Sequence, residues 1–153
     1  MDDRAFLEIA VDVSRESVIL GGFPVGAIIV REGEIISRGV SNGKQLKDPT
    51  SHAEIAAIRD ACQKLQRQSL KDAVLYSSME PCLMCFAAAT WASVPRIVYA
   101  CGRARVGEEH FEGAHDVPAL NARARKPIEF LHITTLEETA AQVISEWKTE
   151  SSR

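Results

Sequence analysis

The stretch A-V-L-Y-S-S-M-E-P-C-L-M-C (73–85) constrains this chain more than any other. A short β-rich run ends in a proline, and two cysteines three positions apart follow it. Pro81 suits the first turn of a helix, where its missing N–H costs nothing. The pattern therefore predicts a strand running straight into a helix, with Cys82 and Cys85 together at the junction. Thiols at that spacing serve as a redox pair, as half of a structural metal site, or as part of a catalytic one.

The rest of the chain supplies a frame for that junction. Apolar residues Phe6, Ile9, Ala10, Val13 and Val18 recur at helical spacing between Asp2 and Leu20, with Asp2 or Asp3 as cap and Gly21-Gly22 as stop. V-G-A-I-I-V-R (25–31) and E-I-I-S-R-G-V-S-N (34–42), joined at R-E-G-E, read as a hairpin. Residues 52–65 form a helix with Ile55, Ile58, Cys62 and Leu65 as its apolar stripe. Further strands are expected at 96–101 and 128–133, and a closing helix at 135–148. Residues 43–47 and 102–127 are irregular or weakly helical. This order implies an α/β fold, a three-layer α/β/α sandwich around one mixed sheet of about five strands. With no repeat or linker in 153 residues, a single domain over 1–153 is the economical reading.

Composition narrows the function classes. The net charge of -3 offers no broad positive field for a nucleic-acid backbone, so such a partner is possible but not favoured. No run approaches a membrane span. The acidic start M-D-D-R-A-F lacks the basic and apolar regions of a signal peptide, and cytoplasmic localisation with reduced thiols is the default expectation.

A second motif decides among the roles of the cysteines. His52-Ala53-Glu54 opens the helix that follows Asp48-Pro49-Thr50-Ser51. A redox pair leaves this motif unexplained, whereas a zinc site uses both. His52, Cys82 and Cys85 make the three-ligand set of a catalytic Zn²⁺ with one open position. Cys62, on a helix stripe, and Cys101, ending a strand, read as core residues, so a closed four-ligand site is disfavoured. All three ligands fall in the first turns of two helices, whose positive ends favour thiolate. Glu54 stands about 200° around the helix from His52, which removes it from the ligand set but leaves it free to move protons beside the metal.

H-x-E followed by P-C-x-x-C resembles the signature of the zinc-dependent nucleobase deaminases of the cytidine/deoxycytidylate deaminase superfamily. The resemblance rests on D-P-T-S-H-A-E-I-A-A-I-R (48–59) and M-E-P-C-L-M-C-F-A-A-A (79–89), with P-V-G-A-I-I-V (24–30) and Asn42. It implies hydrolysis of an amino-substituted nucleobase or nucleoside to a carbonyl base and ammonia. Zn²⁺ is the implied cofactor and activates a water; Glu54 is the implied catalytic proton carrier. It further implies substrate contacts from Asn42 and from the backbone at Ala53, and a homodimer.

Three branches of the family compete. D-P-T-x-H-A-E, E-P-C-x-M-C and Trp91 resemble the small guanine deaminases most, with Trp91 as a stacking wall. Val25 replaces a phenylalanine of that branch, and Gly113 stands opposite its loop aspartate, leaving Glu112 or Asp116 as substitutes. A terminal tyrosine of that branch has no counterpart in W-K-T-E-S-S-R. The tRNA wobble-adenosine deaminases share P-V-G-A; Arg103, Arg105, Arg123, Arg125 and Lys126 are their candidate phosphate contacts here. The cytosine deaminases rank third, and a zinc-stabilised inactive family member is the non-enzyme alternative. A small purine-like base or nucleoside is the favoured substrate, and His110 and His115 are read as surface residues.

Overall fold

Asp2 accepts a hydrogen bond from the Ala5 amide at 2.9 Å and starts helix α1 (Asp3–Ile19), whose buried stripe includes Phe6, Leu7, Ala10, Val11 and Val13. The computed structural model describes residues 1–152. Strands β1 (Gly26–Arg31) and β2 (Glu34–Val40) form the expected hairpin, turned at Glu32 and Gly33, both with positive φ. A short helix α2 (Gly43–Leu46) and helix α3 (Ala53–Leu65) follow, then β3 (Ala73–Met79), α4 (Leu83–Trp91) and β4 (Arg96–Cys101). The chain closes through α5 (Arg103–Val106), a 3₁₀ turn (Glu108–His110), α6 (Val117–Ala122), β5 (Glu129–His132), a second 3₁₀ turn (Thr134–Leu136) and α7 (Glu137–Ser151).

The five strands make one sheet in the order β2-β1-β3-β4-β5. β1 is antiparallel to both β2 and β3, while β3, β4 and β5 run parallel, so the sheet is mixed as expected. Helices α1 and α7 pack on one face, and α3 with α4 cover the other. The central strands are buried on both sides: Ile28, Ile29, Leu75, Ile97 and Val98 are fully enclosed.

Two local expectations are corrected. The deepest stripe of α3 is Ala53, Ala57 and Ala61, with Glu54 and Ile58, whereas Ile55, Cys62 and Leu65 are only half-buried. The cause is close approach to β2. A Cβ on Gly39 would stand 2.0 Å from the Ala53 carbonyl oxygen and 2.6 Å from the Ala57 nitrogen. Only small residues on both sides permit that spacing. Pro81 lies just outside α4, because Cys82, extended at φ -69° and ψ 173°, takes the cap position.

Candidate active site

The fold brings the two motifs together through helix starts. His52 is the cap residue of α3 and Cys82 that of α4, both with extended backbone, and Cys85 lies in the first turn of α4. His52 Nδ1 stands 3.5 Å from Cys82 Sγ and 3.6 Å from Cys85 Sγ. The three ligand atoms lie within 4.8 Å of one another. Tetrahedral zinc with Zn–S of about 2.3 Å and Zn–N of about 2.05 Å requires an N···S separation of about 3.5 Å. Both N···S distances fit that ion.

Electrostatics agree with the geometry. Hydrogen bonding from the Cys85 thiol, helped by His52, holds Cys82 below its ordinary pKa, and burial opposes this. The same shared proton, with burial, pushes Cys85 up. The hydrogen bond to Cys82 raises His52. Two sulfurs and one imidazole thus compete for a proton that a divalent cation displaces on binding.

Glu54 is the second element of the site. It is 4% exposed, and its Oε1 is buried with no hydrogen-bond partner among the described residues. A buried carboxylate oxygen with no partner calls for one, which a water, an ion or a group entering the site can supply. Burial, reinforced by the Cys82 charge, raises its pKa from 4.5 to about 7.

Glu54, His52 and Cys82 open onto a pocket of about 740 Å³. Val25, the residue that replaces a phenylalanine of the guanine-deaminase branch, lines it. Glu112 does too, and its carboxylate also accepts from the Leu83 and Met84 amides at 3.2 and 3.0 Å, across the start of α4. Asn42 sits between the lining residues Ser41 and Gly43 without lining the pocket itself, and Ser51 Oγ donates to its Oδ1 at 2.5 Å. Ala53 is fully buried as the first residue of α3.

Trp91 does not line this pocket within the chain. It is 88% exposed at the end of α4 and absent from the lining. Six residues past Cys85, at 100° per residue, place it about 240° around the helix, nearly opposite the buried Cys85, Phe86 and Ala89. The aromatic lining comes instead from Phe23, Phe111 and His110. Phe23 lay unremarked within G-G-F-P, and nothing in its local pattern separates it from an ordinary core residue. His110, 13% exposed by its side chain, tilts against Phe23 at 5.2 Å, and Trp147 of α7 meets Phe23 edge-on at 5.0 Å. His115 is exposed and off the lining.

Other loop expectations resolve similarly. Asp116 caps α6 by accepting from the Ala119 amide at 3.0 Å and does not reach the pocket. Arg103 turns inward, with its side chain 15% exposed, and Arg105 pairs with Glu138 at 3.0 Å. Neither is presented as a free phosphate contact. Glu80, from the M-E-P-C stretch, lines the pocket and was missed from sequence.

Comparison with known proteins agrees with this arrangement. Residues 1–101 match the cytidine and deoxycytidylate deaminase zinc-binding region. A guanine deaminase from Bacillus subtilis is 38% identical over 139 residues, spanning 90% of this chain and 89% of its own. A tRNA-specific adenosine deaminase from Aquifex aeolicus is 37% identical over 126 residues, 82% of this chain and 83% of its own. The fold is also that of a guanine deaminase structure from Nitrosomonas europaea, with a TM-score of 0.84 at 23% identity over 97% of this chain and 85% of that one. By motif and by these matches, the chain belongs to the cytidine and deoxycytidylate deaminase family and is a zinc-dependent hydrolase of C–N bonds.

Proposed function

We propose that this protein hydrolytically deaminates a purine-like free base or nucleoside, with guanine-type bases favoured, and releases ammonia. The observation that carries the reading is Glu54: a buried carboxyl with an unpartnered oxygen, beside three metal-ligating side chains, on the wall of a pocket large enough for a base or nucleoside.

In this reading His52, Cys82 and Cys85 hold the zinc. When bound, the ion supplies Lewis acidity and lowers the pKa of a water from about 15.7 to about 7. Glu54 takes a proton from the attacking water as the new C–O bond forms. It delivers that proton to the ring nitrogen. It then takes the second proton from the hydroxyl now on the same carbon and passes it to the amino nitrogen, which leaves as ammonia as the C–N bond breaks and the carbonyl forms. Burial, which raises the pKa of the Glu54 carboxyl, favours its holding the proton between the two transfers.

The remaining residues orient the base. Asn42 does not line the pocket but is flanked by Ser41 and Gly43, which do. Ser51 donates to its Oδ1, and the family resemblance gives its Nδ2 the role of donor to a substrate carbonyl or sugar. The orphan N–H of Ala53, in the first turn of α3, is the second donor. Val25, Phe23 and Phe111 supply apolar surface against a planar ring. Glu112 stands where it can accept from ring N–H groups. The reading includes a homodimer, as the family resemblance implies.

Lys44 and Lys47 stand at the pocket rim and favour one second reading, deamination of a tRNA adenosine whose flanking phosphates they meet. Asp48, Glu80, Glu109 and Glu112 line the same pocket, and their charge disfavours further phosphates there. An ammonia-release screen over guanine, adenine, cytosine, isocytosine, their nucleosides and an anticodon stem-loop separates the two. The free-base reading predicts guanine among the best substrates. Release only from the stem-loop contradicts it.

A further inference from the structure

We infer that Arg103 is a positioning residue that holds one wall of the substrate pocket in place, although it does not line the pocket itself. The inference rests on that pocket being the substrate site.

The wall is the segment Glu109, His110, Phe111 and Glu112, all four of which line the pocket. It contains a single 3₁₀ turn and is bracketed by Gly107 and Gly113, at φ +98° and +145°. Glycine at both ends removes the steric restriction that would fix the segment's direction. Its placement must therefore come from side-chain contacts. Glu112 reaches the start of α4, and Lys148 Nζ meets Glu109 Oε1 at 3.2 Å. Both contacts lie at the exposed surface.

On the inner side His110 packs against Phe23 at 5.2 Å, and Arg103 supplies the polar anchor. Its guanidinium carbon lies 4.0 Å from the centre of the Phe111 ring, and its Nη1 donates to the Gly113 carbonyl oxygen at 2.8 Å. Its Nε faces Glu80 Oε2 at 3.6 Å, and its backbone N–H donates to the same oxygen at 3.3 Å. One half-buried cation thus ties the wall, on either side of Glu112, to Glu80 at the end of β3. A planar guanidinium stacks on an aromatic ring and donates in its own plane at once; an ammonium does not.

Hydrogen exchange on the zinc-loaded enzyme, with steady-state kinetics on the best substrate of the screen, tests this. Arg103→Met is compared with wild type and with Arg105→Met, a surface arginine two residues away. Amides of 108–113 are expected to exchange about tenfold faster in Arg103→Met while sheet amides and zinc content stay as in wild type. KM is expected to rise about tenfold with a smaller change in kcat, and Arg103→Lys to recover little of it. Exchange in 108–113 that is unchanged, or raised equally throughout the chain, overturns the inference. If Arg103→Met does not fold, Arg103→Lys is read by the same criteria. Wild-type enzyme inactive on every compound overturns the functional reading alone, and the exchange data still decide the anchoring.

Discussion

His52 Nδ1 and Cys82 Sγ stand 3.5 Å apart although thirty positions separate them in the chain. Each caps a different helix on the same face of the sheet, so helix packing sets the distance between them. Cys82→Ser or Cys85→Ser is predicted to lose zinc, since serine is a poor ligand beside imidazole and thiolate. Metal analysis after dialysis checks this: less than a tenth of wild-type zinc is expected, by order of magnitude.

The seat of α3 on β2 has a weak point at Gly39. Gly39→Ala places a methyl within 2.0 Å of the Ala53 carbonyl oxygen, and backbone on both sides cannot yield cheaply. Displacement of α3 is expected, with a loss of about 3 kcal/mol in chemical denaturation and weaker zinc retention. An unaltered stability would mean that α3 does not ride on β2 as closely as described.

Glu54 gives a pH prediction for the chelated protein. Its folded pKa of about 7 lies above its ordinary 4.5, so the folded state binds the proton more tightly than the unfolded chain. The stabilising contribution is complete below about pH 4.5 and is lost as pH rises through about 7. Glu54→Gln removes that dependence. Over this range the variant is expected to gain stability relative to wild type, by up to about 3 kcal/mol near pH 7 and above. Thermal melts at several pH values measure the difference.

The opposite sign holds at Asp3. Hydrogen bonds from Arg96 Nη1 and Nη2, at 2.7 and 2.6 Å, hold its carboxyl below the ordinary 3.8, and the Tyr76 hydroxyl adds a third at 2.7 Å. The stabilisation is present above that ordinary value and disappears as pH falls through the lower folded one. Because the pair is partly exposed, Asp3→Asn is expected to cost only about 1 kcal/mol at neutral pH, and nothing once Asp3 is protonated.

The sequence carried the metal set clearly because zinc demands particular atoms, and H-x-E with P-C-x-x-C supplies them in few arrangements. A single mixed sheet of about five strands was legible too, from a hairpin followed by strand–helix–strand alternation, but its order, β2-β1-β3-β4-β5, was not read from the sequence. The pocket walls were less legible. Trp91 was read as a stacking wall by resemblance to one branch, yet its angle on α4 turns it outward. Phe23, Phe111 and His110 meet at the pocket from a loop before β1 and a loop after α5, a meeting set by tertiary packing that no local periodicity records. The stripe of α3 was misjudged for a related reason: large residues signal burial more loudly than the alanines that allow close approach.

The central claim is tested most directly by measuring zinc content and ammonia release together for wild type and Glu54→Gln on the best substrate. Removal of the proton carrier alone should leave about one zinc per chain in both proteins and slow release by a factor of about 10² or more. Undiminished release from Glu54→Gln, or wild-type enzyme that deaminates at full rate after its zinc is stripped, contradicts the account.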